Sequence, residues 1–191
     1  MRNKKIIQIS VLVMVLITIA INLLSNVIPF NNVTTKELSD AIPTFFVPAG
    51  YVFSIWGIIY VLFLVYSFSL FKNFKKEDSK IFYWFILSCI ANISWLLLWH
   101  YKQVAISVVP MVILLTSLIA IYIITDTKTY PWYKRILFQT YLGWISVATI
   151  ANISSALYVE KWYGFGISAE LWAVILIGVA TNLYILITTC K

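Results

Sequence analysis

Six runs of about twenty predominantly apolar residues, joined by short polar connections, constrain this chain more than any other feature. A helix crossing the hydrocarbon core of a bilayer needs about 20 such residues, and within that core each segment must satisfy its own backbone hydrogen bonds. The runs lie at about 6–28, 48–71, 81–101, 104–125, 136–159 and 171–190. Together they leave only loops and tails outside lipid, too little chain for a separate soluble domain. Composition agrees: the chain is 62% hydrophobic and 11% charged, whereas soluble domains carry about 25% charged residues. The expectation is an all-α integral membrane protein.

The net charge of +7 would suggest nucleic acid if it formed a basic stripe with interleaved exposed aromatics. It does not, because the cations cluster beside the runs. Taking alternate sides of the membrane, the N-terminus, second loop, fourth loop and C-terminus hold eleven Lys and Arg, and the other three loops hold three. Cytoplasmic loops carry the positive excess, so both termini are expected in the cytoplasm. The 30–47 loop, with Lys36, Glu37, Asp40 and Pro43, then lies on the outer face. The first run follows Arg2, Lys4 and Lys5 and so resembles a signal peptide. It is longer than the usual 7–15 apolar residues and lacks an Ala-x-Ala site, so it is read as a retained helix. Cys89 and Cys190 have neither disulfide-framework nor metal-site spacing and read as packing residues.

Chemistry is sparse inside the runs. No Asp, Glu, Lys or Arg lies near a middle, which argues against an ion-coupled pump. A hydrolytic site needs a nucleophile, a base and an orienting acid within reach of one another, and the one histidine, His100, has no intramembrane acid beside it. His100 next to Trp99 and Tyr101 reads as an interfacial residue, with axial ligation of a tetrapyrrole iron as its alternative. Glycines are scattered, so no phosphate-cradling loop is formed. No catalytic or metal-ligating residue is expected. The two halves show no convincing repeat; only Ala-Asn-Ile-Ser recurs, around Asn92 and Asn152. Both copies match the glycosylation sequon inside spans, whereas Asn32-Val-Thr34 lies on the outer loop.

The aromatics are more informative. Tyr130, Trp132, Tyr133, Trp162 and Tyr163 fit interfacial belts. Others recur deep in the runs at helical spacing beside polar residues: Trp56 and Tyr60; Asn92, Trp95 and Trp99; Tyr141, Trp144, Ala148 and Asn152. Residues three and four apart share a helix face, and Asn facing lipid would leave its amide unpaired, so these stripes should face the bundle interior. They could be interhelical glue, or they could line a pocket for a flat, apolar ligand with a few polar edges. Asn22 and Asn26, in the first run, read as glue.

The segment FFVPAGYVFSIWGIIY (45–60), with Trp56-x-x-x-Tyr60, resembles the second helix of the TspO/MBR family, the tryptophan-rich sensory proteins related to the mitochondrial translocator protein. Asn92-x-x-Trp95 resembles that family's third-helix motif, and TYLGWISVATIAN (140–152) its fifth. The resemblance implies a five-helix bundle over 1–160, in a bacterial cell membrane, binding porphyrins, sterols or benzodiazepine-like ligands beneath the first loop. The connection and extra helix at 161–191 are additional. Carried over by position, the pocket would take Trp56 and Tyr60, then Asn92, Trp95 and Leu96, then Tyr141, Trp144, Ala148 and Asn152. No cofactor is obligatory, and a porphyrin or haem-like tetrapyrrole is the implied ligand. Some members are proposed to degrade bound porphyrin in light, and homodimers are common. Three departures stand out: the sixth run, Thr140 where the family has Pro, and an outer loop without the family's Trp and Pro pattern.

The expected function is therefore a membrane receptor or sensor for a hydrophobic ligand, with a sensory or transport-related role. A small secondary transporter would normally show internal symmetry. A scaffold would use its aromatics only for packing.

Overall fold

The computed structural model describes residues 2–28, 30–44, 49–162 and 164–189. Among these residues seven α-helices follow in order: α1 (Arg2–Val27), α2 (Thr35–Asp40), α3 (Ile55–Lys72), α4 (Lys76–His100), α5 (Val104–Thr125), α6 (Trp132–Val159) and α7 (Ala169–Thr189). No strand occurs among the described residues. Five helices are long and apolar enough to cross a membrane, namely α1, α3 with its preceding 3-10 turn, α4, α5 and α6. They close into a ring in which α1 packs on α4, α4 on α5, α5 on α6, α6 on α3 and α3 back on α1. α7 packs against α6 and is 21 residues long, about the length that spans a bilayer.

These helices are apolar nearly all round, so polar side chains mark the inward face. α1 buries Gln8, Val11, Val15, Thr18, Asn22 and Ser25, and α5 buries Ser107, Met111, Leu114, Ser117, Leu118, Ile121 and Thr125. The α1 set steps by three and four throughout, and the α5 set does so apart from the adjacent Ser117 and Leu118, close to the 3.5-residue repeat of helices packed at shallow angles. Buried hydroxyls bond back into their own helices, as Thr18 to Met14 O (2.8 Å) and Ser107 to Val104 O (2.7 Å) do. Small residues satisfied in this way let neighbouring backbones approach closely. Asn22 Nδ2 crosses to Asn92 Oδ1 at 2.8 Å, tying α1 to α4 as expected of glue. Asn26, by contrast, donates only within α1, to Asn22 O and Ser25 Oγ.

Three boundaries differ from the sequence expectation. The 30–47 connection contains helix α2, which starts at a reciprocal cap: Thr34 Oγ1 accepts from the Glu37 N–H, and Glu37 Oε2 accepts from the Thr34 N–H. The second span enters through a 3-10 turn, Gly50–Ser54, because the chain must bend from the loop into the bundle before α3 begins. Its expected start at Pro48, like residues 45–47 of the motif, lies outside the described residues, as do Pro29, Tyr163 and Cys190. Finally, α4 starts at Lys76, so Lys76, Glu77, Asp78 and Lys80, expected in the second loop, occupy its first turns.

That shift matters, because Asp78 on α4 is buried. It accepts from Lys134 Nζ (2.6 Å), Tyr130 OH (2.7 Å) and the Lys75 N–H (2.7 Å). Lys134, with no exposed side-chain surface, also donates to Asn73 O at 2.6 Å. Burial first, and then the neighbouring Tyr66 and Asp78, holds the Tyr130 hydroxyl far above the ordinary phenol range, so it stays a donor. One carboxylate thus pins the α3–α4 and α5–α6 connections together at the lysine-rich end of the bundle.

Candidate functional site

At the opposite end, α2 covers a cavity between α3, α4 and α6. Its lining is Thr35 and Ser39 from α2, Phe53 from the 3-10 turn, Trp56 from α3, Trp95 and Trp99 from α4, and Trp144, Ala148, Ala151, Asn152 and Ser155 from α6. The helical stripes put these groups there. Trp95 and Trp99 are one turn apart and stack with centroids 6.0 Å apart and planes at 27°. Trp56 lies edge-on to Trp144 at 6.2 Å, and Phe53 edge-on to Trp144 at 5.9 Å. Four indoles thus surround one space.

Of the nine residues singled out from the sequence, Trp56, Trp95, Trp144, Ala148 and Asn152 line this cavity. The other four lie around it. Tyr60 stacks on Trp56 at 5.9 Å, and Tyr141 meets Trp56 edge-on at the same distance. Asn92, one turn below Trp95, is engaged with Asn22, and Leu96 is buried on the α4 turn whose carbonyl receives His100. Thr35 and Ser39 were missed because they lie on a connection read as loop, whereas Phe53 falls inside the expected second span, three residues before Trp56 on the same stripe, and was not singled out. Ala151 and Ser155 carry no aromatic or amide signal, although both continue the α6 stripe. Trp99 was already part of the α4 stripe.

The hydrogen bonding at the site is incomplete. Trp99 Nε1 donates to Thr35 O (3.3 Å), and Asn152 Nδ2 donates to Ser107 Oγ (2.9 Å). The buried Trp95 Nε1, Trp144 Nε1 and Asn152 Oδ1 have no partner. Just below, Asn92 Nδ2 and Tyr141 OH are also unpartnered; they interact electrostatically but do not reach bonding geometry. A buried polar group without a partner costs about 1–3 kcal/mol, and native interiors keep few of them. Here five gather at one place, on five residues of the sequence stripes. Among the described residues the only other such atom is Thr44 Oγ1.

His100, read as interfacial, closes the last turn of α4. It is fully buried, with Nδ1 2.8 Å from Leu96 O and Nε2 3.5 Å from Thr35 Oγ1. The imidazole therefore donates through Nδ1 to the carbonyl, and Nε2 faces the hydroxyl of the covering helix. Asn31 Nδ2 donates to His100 O (3.2 Å), and Phe30 lies edge-on to the ring. Together with the Trp99–Thr35 bond, these contacts strap α2 and the 3-10 turn before it, Phe30–Asn32, to the end of α4. The straps are long for hydrogen bonds and few.

The cavity measures about 30 Å³, room for one or two waters. Ligand pockets are typically about 300–1,000 Å³, so a ring-sized ligand requires a wall to move. α2 is the thinnest wall, six residues long. No group of three or more His, Cys, Asp or Glu that could hold a metal occurs among the described residues.

A family model described as TSPO-like protein matches residues 8–191. Comparisons with curated proteins and with solved structures gave no match.

Proposed function

Since this chain belongs to the TSPO-like protein family, we propose that it binds a flat hydrophobic ligand of the tetrapyrrole class in the cavity beneath α2, in a sensory or transport-related role. The observation that carries this reading is the set of five unpartnered buried polar atoms around four indoles. Indole faces supply stacking surface for a flat ring, and the unspent N–H and amide groups supply the few oriented contacts that such sites use. Opening requires α2 to lift, which breaks the long bonds from Trp99, His100 and Asn31 and exposes the buried Leu38.

Purified protein in mild detergent tests this in the dark, by titration with protoporphyrin IX and with its dimethyl ester while Trp fluorescence is followed. At least one porphyrin should bind saturably to wild type and at least about tenfold more weakly to a folded Trp144→Ala variant, since losing a buried aromatic contact costs over 1 kcal/mol. Partitioning that never saturates and is equal in both proteins would sink the reading. That result would favour a scaffold in which the aromatics only pack, a view supported by the smallness of the cavity.

The same reading places both termini and the Asp78–Lys134 end in the cytoplasm, with α7 as a sixth span. The bias of Lys and Arg toward that end supports it. Single cysteines introduced at Glu77 and at Lys36 in a background with both Cys89→Ser and Cys190→Ser should report it. An impermeant maleimide added to intact cells should label only the Lys36 position, and the reverse pattern would invert the topology.

A further inference from the structure

We propose that α7 is a self-association helix, along which two copies of this chain pair in the bilayer through a seam of Leu171, Ile175, Gly178 and Asn182. The inference rests on the reading of α7 as a sixth span, and none of the seam residues lines the cavity. Asn182 lies eleven residues past Leu171, about 17 Å along the helix axis. That is near the middle of a hydrocarbon core about 30 Å thick. Asn22, Asn92 and Asn152, on other spans, are buried, and each bonds to a side chain of another helix. Asn182 is instead exposed. Its Nδ2 donates to Gly178 O within α7 (2.7 Å), and its Oδ1 has no partner among the described residues. An amide left in hydrocarbon is costly, and hydrogen bonding across helices removes that cost.

A second copy supplies what this amide lacks. An amide both donates and accepts, so two of them related by a two-fold axis satisfy each other. A second copy with the same topology also brings its own Asn182 to the same depth. The four seam residues step by four, three and four, the spacing of a coiled-coil seam, where a single Asn fixes register and partner number. Gly178 is an independent observation. Among the described residues nothing lies within 4 Å of where a Cβ at this position would stand, so the single chain gains no packing from a glycine that weakens a helix interior. Beside a second helix the same glycine lets two backbones approach closely. The bundle side of α7 is elsewhere: Trp172, Ala173 and Leu176, off the seam, are half-buried. Trp172 Nε1 donates to Gly164 O (3.0 Å), and its ring lies 5.2 Å from that of Trp162, just past α6.

Sedimentation equilibrium in density-matched mild detergent, over a range of protein-to-detergent ratios, should show wild type as a dimer exchanging with monomer. Asn182→Ala should raise the dissociation constant about tenfold, through loss of the interhelical amide bonds. Asn182→Gln should restore most of the affinity, and Gly178→Ile should weaken pairing at least as much as Asn182→Ala. All four proteins should keep the wild-type helical content, because the seam lies outside the five-helix ring. In membranes, Ile175→Cys in a Cys89→Ser, Cys190→Ser background should crosslink on oxidation, and adding Asn182→Ala should lower the yield. Ile177→Cys, also exposed but off the seam, should not crosslink.

A wild type that stays monomeric at every ratio and gives no crosslink at position 175 would overturn the inference. A dimer indifferent to Asn182→Ala and Gly178→Ile, or crosslinked equally at 175 and 177, would overturn it too and put the contact elsewhere. The span is tested separately with an impermeant maleimide, using Glu170→Cys in the cysteine-free background and Cys190 in Cys89→Ser. In intact cells one of the two positions should label, and the other only after permeabilisation. Labelling of both in intact cells would remove the sixth span, and the seam with it, without touching the ligand site.

Discussion

At Glu37, one carboxylate decides whether the cover of the cavity is a helix. The Thr34 backbone N–H first, then the Thr34 hydroxyl and the adjacent Lys36, hold its pKa below the ordinary 4.5. A carboxyl depressed in the folded state stabilises at pH values above its unfolded pKa, and that stability is lost as pH falls through the folded value. α2 should therefore loosen below about pH 4.5, and amide exchange in residues 37–41 should accelerate there. Glu37→Gln should show the faster exchange already at pH 7, and an unchanged rate in that variant would remove the cap from the account. The Asn22–Asn92 bond makes a second prediction. Asn22→Leu strands the Asn92 carbonyl oxygen inside the bundle, so unfolding in detergent should be easier by about 1 kcal/mol. The sequence exposed this pair because an amide inside an apolar run has to find a partner. It hid Asp78 and Lys134 because both stand among solvated lysines in the chain, and only the start of α4 at Lys76 draws the carboxylate inward.

The helices themselves were largely legible, since twenty apolar residues in lipid leave the backbone few other options. Their facing was legible for a different reason than in water. Apolar side chains cover every side of α3 and α5, so the direction of the core is written in Ser, Thr, Asn and Trp. α2 escaped notice because it is short and polar, although Thr-x-x-Glu ahead of it is a known start signal. The helix ends offer a further test. α4 and α6 both terminate with a lysine in the left-handed region, Lys102 at φ 59° and Lys161 at φ 54°. At each end the next residue bonds back, Gln103 N–H to Leu98 O and Trp162 N–H to Leu157 O. This is the paired closure that glycine ordinarily makes. A side chain in that conformation costs about 1–2 kcal/mol, so Lys102→Gly should raise the thermal midpoint in detergent by relieving about 1 kcal/mol. A lower midpoint would show that the lysine side chain contributes more than its backbone strain costs.

Across the whole molecule, the five-membered ring joins two dissimilar ends. The end beneath α2 leaves polar atoms unspent and is closed by a few weak bonds. The other is fastened by a buried ion pair in which Asp78 accepts three hydrogen bonds and Lys134 donates two. Removing one member leaves the other charge buried alone, at a cost of about 3–5 kcal/mol. Lys134→Met and Asp78→Leu should each be strongly destabilising, and the double variant should lose less than the sum of the two, as expected for partners in contact. Additive losses would mean that the pair is not one unit.

The concealment of Lys134 also gives the bundle an internal clock. Its amine is fully enclosed, whereas Lys76 and Lys80, one helix away, are exposed. An amine-acylating reagent will therefore mark those neighbours at once and reach position 134 only during moments when the end of the ring comes apart. The mass-spectrometric lag between the two is a direct timing of that opening, read from the unsubstituted protein.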